Sequence, residues 1–62
     1  MEKITLKVLR AMYDYNQTQM ATRLGITRQY YNQIEKKRIK ISASVLAKIC
    51  EEFGVKPSDL IV

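Results

Sequence analysis

Apolar residues recur at helical spacing along almost the whole chain, in five runs. In the first, Leu6, Leu9 and Tyr13 fall at i, i+3 and i+7, with Val8 and Met12 filling beside them and Thr5 as a cap; this predicts an inward-facing helix over residues 5–14. In the second, Asn16 has the side chain of an N-cap, Met20, Ala21 and Leu24 share one face, and Gly25 closes a helix over residues 17–24. Tyr15, just before that cap, is placed to pack over it. Thr27 offers the next cap, for a helix over residues 28–36 whose apolar side carries Tyr30, Tyr31 and Ile34. After it, Ile39 and Ile41 are expected to tuck under while the bases around them stay in water. Ser42 or Ser44 caps a fourth helix over residues 43–53, with Val45, Leu46, Ile49, Cys50 and Phe53 inward and Gly54 as its stop. Pro57 and Asp59 suit the first turn of a short last helix over residues 57–61, and Leu60, Ile61 and Val62 make an apolar end. The expected class is therefore all-α, with five helices.

Length sharpens this picture. The 62 residues allow one domain, residues 1–62, with a small core held by helix packing. A lone cysteine and the absence of histidine leave no internal disulfide and no zinc set, so Cys50 reads as a small core residue. There is no run of ~18 apolar residues and no hydrophobic leader, which points to a cytoplasmic protein without membrane attachment. With no histidine, no paired carboxylates and no glycine-rich phosphate loop, no catalytic constellation can be assembled. An enzyme is not expected, nor is a cofactor, a metal or a small-molecule ligand.

Charge changes the picture more. Between Arg23 and Lys40 lie six bases (Arg23, Arg28, Lys36, Lys37, Arg38, Lys40) against one acid, Glu35, while elsewhere five bases meet five acids, so the whole net charge of +5 sits in this stretch. At about 100 degrees per residue, the same stretch places Arg28, Gln29, Asn32 and Gln33 on one side of the third helix, without a carboxylate among them. Guanidinium and amide groups match the paired donors and acceptors of guanine and adenine in the major groove, and an adjoining basic loop suits phosphates. These four are the candidate base readers; Lys36, Lys37, Arg38 and Lys40 are the candidate backbone contacts. Arg28 alternatively grips only a phosphate, since arginine makes both kinds of contact. Arg10 lies close to the inward face of the first helix, where a charge needs a partner, and Glu35 is the natural one.

From residue 6 to residue 61 the sequence resembles the Cro and lambda-repressor-like family of helix-turn-helix DNA-binding domains. The resemblance is carried by Leu9–Arg10, by Asn16–Gln17, by MATRLGITRQYYNQIE over residues 20–35 and by FGVKPSDLI over residues 53–61. It implies a compact five-helix domain whose third helix enters the major groove while the second crosses the backbone. It also implies that Gln17 touches a phosphate and braces the start of the reading helix, that Thr27 lies near the DNA backbone, that Arg28, Gln29, Asn32 and Gln33 read bases, and that Arg10 and Glu35 form an internal ion pair. The sequence departs from the family at three places. Lys37 stands where many members have a closing glycine, so the helix runs on or Lys37 turns left-handed. Tyr30, at a position usually small and polar, reads as a phosphate contact with Tyr31 as core, against the alternative that both simply pack. Lys56 stands where a capping serine or aspartate is commoner.

These features point to a sequence-specific double-stranded-DNA-binding transcriptional regulator acting as a homodimer on a two-fold operator, with dimer contacts from Leu60, Ile61 and Val62. The second helix shows Thr18, Gln19, Thr22 and Arg23 outward, without the carboxylates that relatives use to touch polymerase, so repression is expected. The alternative is an antitoxin-type interaction protein with a DNA-binding domain; members of that kind usually carry an added toxin-binding segment, which this sequence does not suggest.

Overall fold

The computed structural model describes residues 3–61, and its order of elements is β1 (Ile4–Thr5), α1 (Leu6–Met12), α2 (Gln17–Leu24), α3 (Arg28–Glu35), α4 (Ala43–Phe53), a 3₁₀ turn (Pro57–Asp59) and β2 (Leu60–Ile61). Each α-helix begins on a side-chain cap of the expected kind. Thr5 accepts from the Val8 amide, Thr27 from the Tyr30 amide and Ser42 from the Val45 amide. Asn16 and Gln19 cap each other's backbone amides at 2.8 Å, a full capping box.

Three of the helices also stop in the same way. After α2, Gly25 turns left-handed (φ 70°), and the amides of Gly25 and Ile26 reach back to the carbonyls of Thr22 and Ala21. After α1 the same closure forms on Asp14 (φ 58°), with Asp14 and Tyr15 donating to Ala11 and Arg10, and after α3 on Lys37 (φ 59°), with Lys37 and Arg38 donating to Ile34 and Gln33. The first helix is therefore shorter than residues 5–14: Thr5 is its cap and its last turn is absorbed by the closure on Asp14. The third ends at Glu35, and of the two conformations open to Lys37 the left-handed one is adopted.

The predicted fifth helix over residues 57–61 is corrected. Only one 3₁₀ turn forms, in which the Asp59 carboxylate accepts from the Lys56 amide at 3.1 Å. The chain then becomes a strand parallel to β1, pairing Ile4 with Leu60 and Thr5 with Ile61. Two causes act together. The lysine side chain has no acceptor with which to cap a helix, and Leu60 and Ile61 find open backbone groups on the equally β-prone Ile4 and Thr5.

The core comprises Leu6, Leu9, Met20, Ala21, Leu24, Tyr31, Ile34, Val45, Ile49, Phe53 and Leu60. Burial on α1 is narrower than its composition suggests. Only Leu6 and Leu9 of α1 are buried; Tyr13, Val8 and Met12 are 44%, 46% and 67% exposed rather than filling the core, and at 100 degrees per residue Val8 and Met12 lie about 160 and 120 degrees round the helix from Leu6. Cys50 is half-buried at the rim. Tyr15 does pack, in an aromatic group with Tyr13 (centroids 5.9 Å apart) and Phe53 (6.5 Å) that closes the end of α4 over the turn after α1. Ile41 reaches the core edge, but Ile39 stays outside it, 42% exposed.

Candidate nucleic-acid interface

Helices α2 and α3 meet across the three-residue turn Gly25, Ile26, Thr27, with Ile26 packed against the core and Thr27 starting α3. The inward side of α3 is fixed by Tyr31 and Ile34, both buried. That leaves Arg28, Gln29, Asn32 and Gln33 together on the other side, where they line one shallow concave surface free of carboxylates. Arg28 and Gln29 are exposed; Asn32 and Gln33 are half-buried. Tyr30 lies on the flank, half-buried against the core edge. Beyond α3, Lys36, Lys37, Arg38, Ile39 and Lys40 are all exposed, and the loop folds over a hollow between Ile34, Ile39 and Ile41. Among the described residues, no acid pairs with Arg28, Lys36, Lys37, Arg38 or Lys40. Arg23, by contrast, is engaged. Its guanidinium reaches Glu52 on α4 at 3.1 Å, a carboxylate that Lys48 also meets at 3.6 Å, so Arg23 is drawn toward α4 while the bases of α3 and its loop stay unpaired among the described residues.

Beneath this surface lies the ion pair expected from the sequence. The Arg10 guanidinium donates through Nε and Nη2 to the two Glu35 oxygens, at 2.9 and 3.0 Å, and through Nη1 to the Tyr15 carbonyl at 3.0 Å. Burial alone would raise the Glu35 carboxyl. Hydrogen bonds from Arg10 and Gln17, the nearby Tyr31 hydroxyl and the Arg10 charge together outweigh it, holding the carboxyl below its ordinary value. The same bonds push Arg10 further up, against its own desolvation. Burial beside this carboxylate pushes the Tyr31 hydroxyl up as well. That hydroxyl meets no partner at hydrogen-bonding geometry among the described residues.

Gln17 departs from expectation. It does not reach the start of α3. Its side-chain oxygen accepts from Asn32 at 3.0 Å and its nitrogen donates to Glu35 at 3.4 Å, so the brace falls on the middle and the end of the helix. Periodicity within one helix does not reveal a bond between two. The available signal was the three-residue spacing of Asn32 and Glu35, which puts them on neighbouring positions of one face. Thr27 keeps its expected place beside the turn, where its oxygen accepts from the Tyr30 amide as the cap of α3 and its hydroxyl proton is still able to donate outward.

A family model described as helix-turn-helix matches residues 6–60, a span that takes in all four α-helices. The chain belongs to the helix-turn-helix family, of the Cro type. An uncharacterized HTH-type transcriptional regulator of Methanocaldococcus jannaschii is 37% identical to this helix-turn-helix chain over 60 residues, covering 97% of the chain and 91% of the relative. The uncharacterized HTH-type transcriptional regulator YgzD of Bacillus subtilis (strain 168) is 36% identical over 58 residues, covering 94% and 88%. No solved structure matches. Among the described residues of this helix-turn-helix chain, no helix is long and apolar enough to cross a membrane, and no three His, Cys, Asp or Glu side chains converge as a metal set.

Proposed function

We propose that this helix-turn-helix protein is a sequence-specific double-stranded-DNA-binding regulator that represses by occupying a two-fold operator as a homodimer, with α3 in the major groove. The observation that carries the reading is the α3 surface. One guanidinium and three amides converge there with no carboxylate, and the adjoining loop presents four bases that no acid neutralises among the described residues. In the groove, Arg28 donates twice to O6 and N7 of a guanine, and Gln29, Asn32 and Gln33 address neighbouring bases. Lys36, Lys37, Arg38 and Lys40 meet phosphates, with Gln17, Thr27 and Tyr30 along the backbone at the flank. The names of the two relatives agree with a regulatory role.

Repression is favoured because α2 exposes Thr18, Gln19, Thr22 and Arg23, and no carboxylate, toward a neighbouring polymerase. A dimer is favoured because one α3 spans only a few base pairs and a symmetric pair doubles the site. Its contacts were expected at Leu60, Ile61 and Val62. Leu60 is buried in the core and so unavailable, Ile61 is 39% exposed, and Val62 lies outside the described residues. Selection of bound sequences from a random duplex pool tests the proposal. The expected product is an inverted repeat with half-sites about one helical turn apart, each mixing guanine with A·T pairs; recovery of unselected sequence would overturn it.

A further inference from the structure

The four polar side chains on α3 are not equivalent. Among the described residues, Arg28, Gln29 and Gln33 have no side-chain hydrogen bond, whereas Asn32 is tied through Gln17 to the Arg10–Glu35 pair. The direction of that chain of bonds is imposed from its inner end. Glu35, bonded to Arg10 through both oxygens, is an ionised carboxylate and can only accept. Gln17 must therefore turn its Nε2 toward Glu35, which leaves Oε1 facing Asn32. Asn32 in turn must offer its Nδ2, as the 3.0 Å bond records. Its Oδ1, with the second Nδ2 hydrogen beside it, is left for whatever approaches the concave surface that Asn32 shares with Arg28, Gln29 and Gln33, and the place of the oxygen is fixed.

We propose that Gln17 and Glu35 polarise Asn32, so that it presents an acceptor to the groove and selects a base carrying an exocyclic amine there, adenine or cytosine, against guanine and thymine. At the place where Oδ1 meets the base edge, adenine offers N6–H and cytosine N4–H, while guanine O6 and thymine O4 would set acceptor against acceptor. Rotating the Asn32 amide to suit them opposes its oxygen to that of Gln17 and forfeits the bond between them. Gln17 thus acts as a positioning residue for specificity without touching a base. The inference rests on the placement of α3 in the groove.

The test is site selection from a random duplex pool with the wild type, Asn32→Ala, Gln17→Met and, as a smaller replacement, Gln17→Ala, each first shown to be folded by circular dichroism. Asn32→Ala identifies the base position that Asn32 reads. The expected wild-type preference there is adenine or cytosine, and either Gln17 variant should flatten that one position by roughly five- to tenfold, the worth of about one hydrogen bond, with the other positions intact. Guanine or thymine at that position, an unchanged preference in the Gln17 variants, or an Asn32→Ala profile identical to wild type would each overturn it while leaving the DNA-binding reading standing. Failure of the wild type to enrich any sequence would remove that reading and this inference together.

Discussion

The guanidinium of Arg10 and the carboxylate of Glu35 face each other through two parallel hydrogen bonds, with the two side chains only 18% and 7% exposed. This joins α1 to the end of α3 with a geometry that specifies orientation as well as distance. Removing either partner strands a charge, so Arg10→Met and Glu35→Ala should each lower stability by ~3 kcal/mol. The double mutant should lose much less than the two effects together. Urea melts of the three variants measure this, and simple additivity would show that the pair is not coupled.

The same pair predicts an acid limb. The folded value of Glu35 lies below the ordinary 4.5, so its contribution is present in full above that value and is lost as pH falls through the depressed folded one. In the wild type, stability should therefore decline with acid below about pH 4.5. Glu35→Gln should be less stable at neutral pH and show a shallower decline in that window. Thermal melts between pH 2 and 7 give both slopes, and equal slopes would assign the acid sensitivity to other carboxylates.

At Lys37 strain and charge occupy one residue. Its φ of 59° disfavours a side chain with Cβ, and the residue sits in the exposed basic loop. Lys37→Gly should raise stability by ~0.5–1 kcal/mol through relief of the left-handed conformation, and should flatten the salt dependence of DNA binding by about one unit of slope through loss of a phosphate contact. Lys37→Ala keeps the strain and removes the charge, so it should flatten the slope without gaining stability. A destabilised glycine variant would contradict this account of the turn.

Arg28 separates base reading from backbone grip. On the proposed reading, Arg28→Ala costs ~1 to 3 kcal/mol on the selected operator, relaxes preference at one base pair and leaves random-duplex affinity nearly unchanged. Fluorescence anisotropy on both duplexes decides it. Equal losses on the two would make Arg28 a phosphate ligand and leave the readout to the amides.

Tyr31 offers a test of the interior. Its ring is fully buried, but its hydroxyl lacks a partner at bonding geometry among the described residues. Tyr31→Phe removes a buried polar atom and keeps the ring, so stability should stay within ~1 kcal/mol of wild type. A loss well beyond that would mean that the hydroxyl bonds Glu35 in solution.

Local signals were legible in the sequence wherever one residue type dictates one geometry. Asn16, Thr27 and Ser42 cap as their side chains require, Gly25 and Gly54 stop their helices, and Arg10 finds Glu35 because a half-buried charge needs an opposite one. The failures lie where two distant segments decide together. Pro57–Ser58–Asp59–Leu60–Ile61 reads as a helical turn by itself and becomes a strand only because Ile4 and Thr5 lie alongside. Val8 and Met12 look like core until the width of the buried stripe on α1 is known. The grouping of Arg28, Gln29, Asn32 and Gln33 followed from helix period alone, whereas the attachment of Asn32 to Gln17 depends on how α2 and α3 cross.

The pairing of β1 with β2 has a kinetic consequence. Joining Ile4 to Leu60 closes a loop through nearly all of the described chain, so its entropy must be lost before those few backbone bonds form. The helices, built on local contacts, should fold ahead of it, making the strand pair the last piece to form and the first to open. Its amides should exchange hydrogen faster than those of α3. Because α1 begins at the residue after β1 and holds α3 through Arg10, opening of the strand pair should stop at that bond, leaving exchange on α3 unchanged while Ile4 and Leu60 exchange.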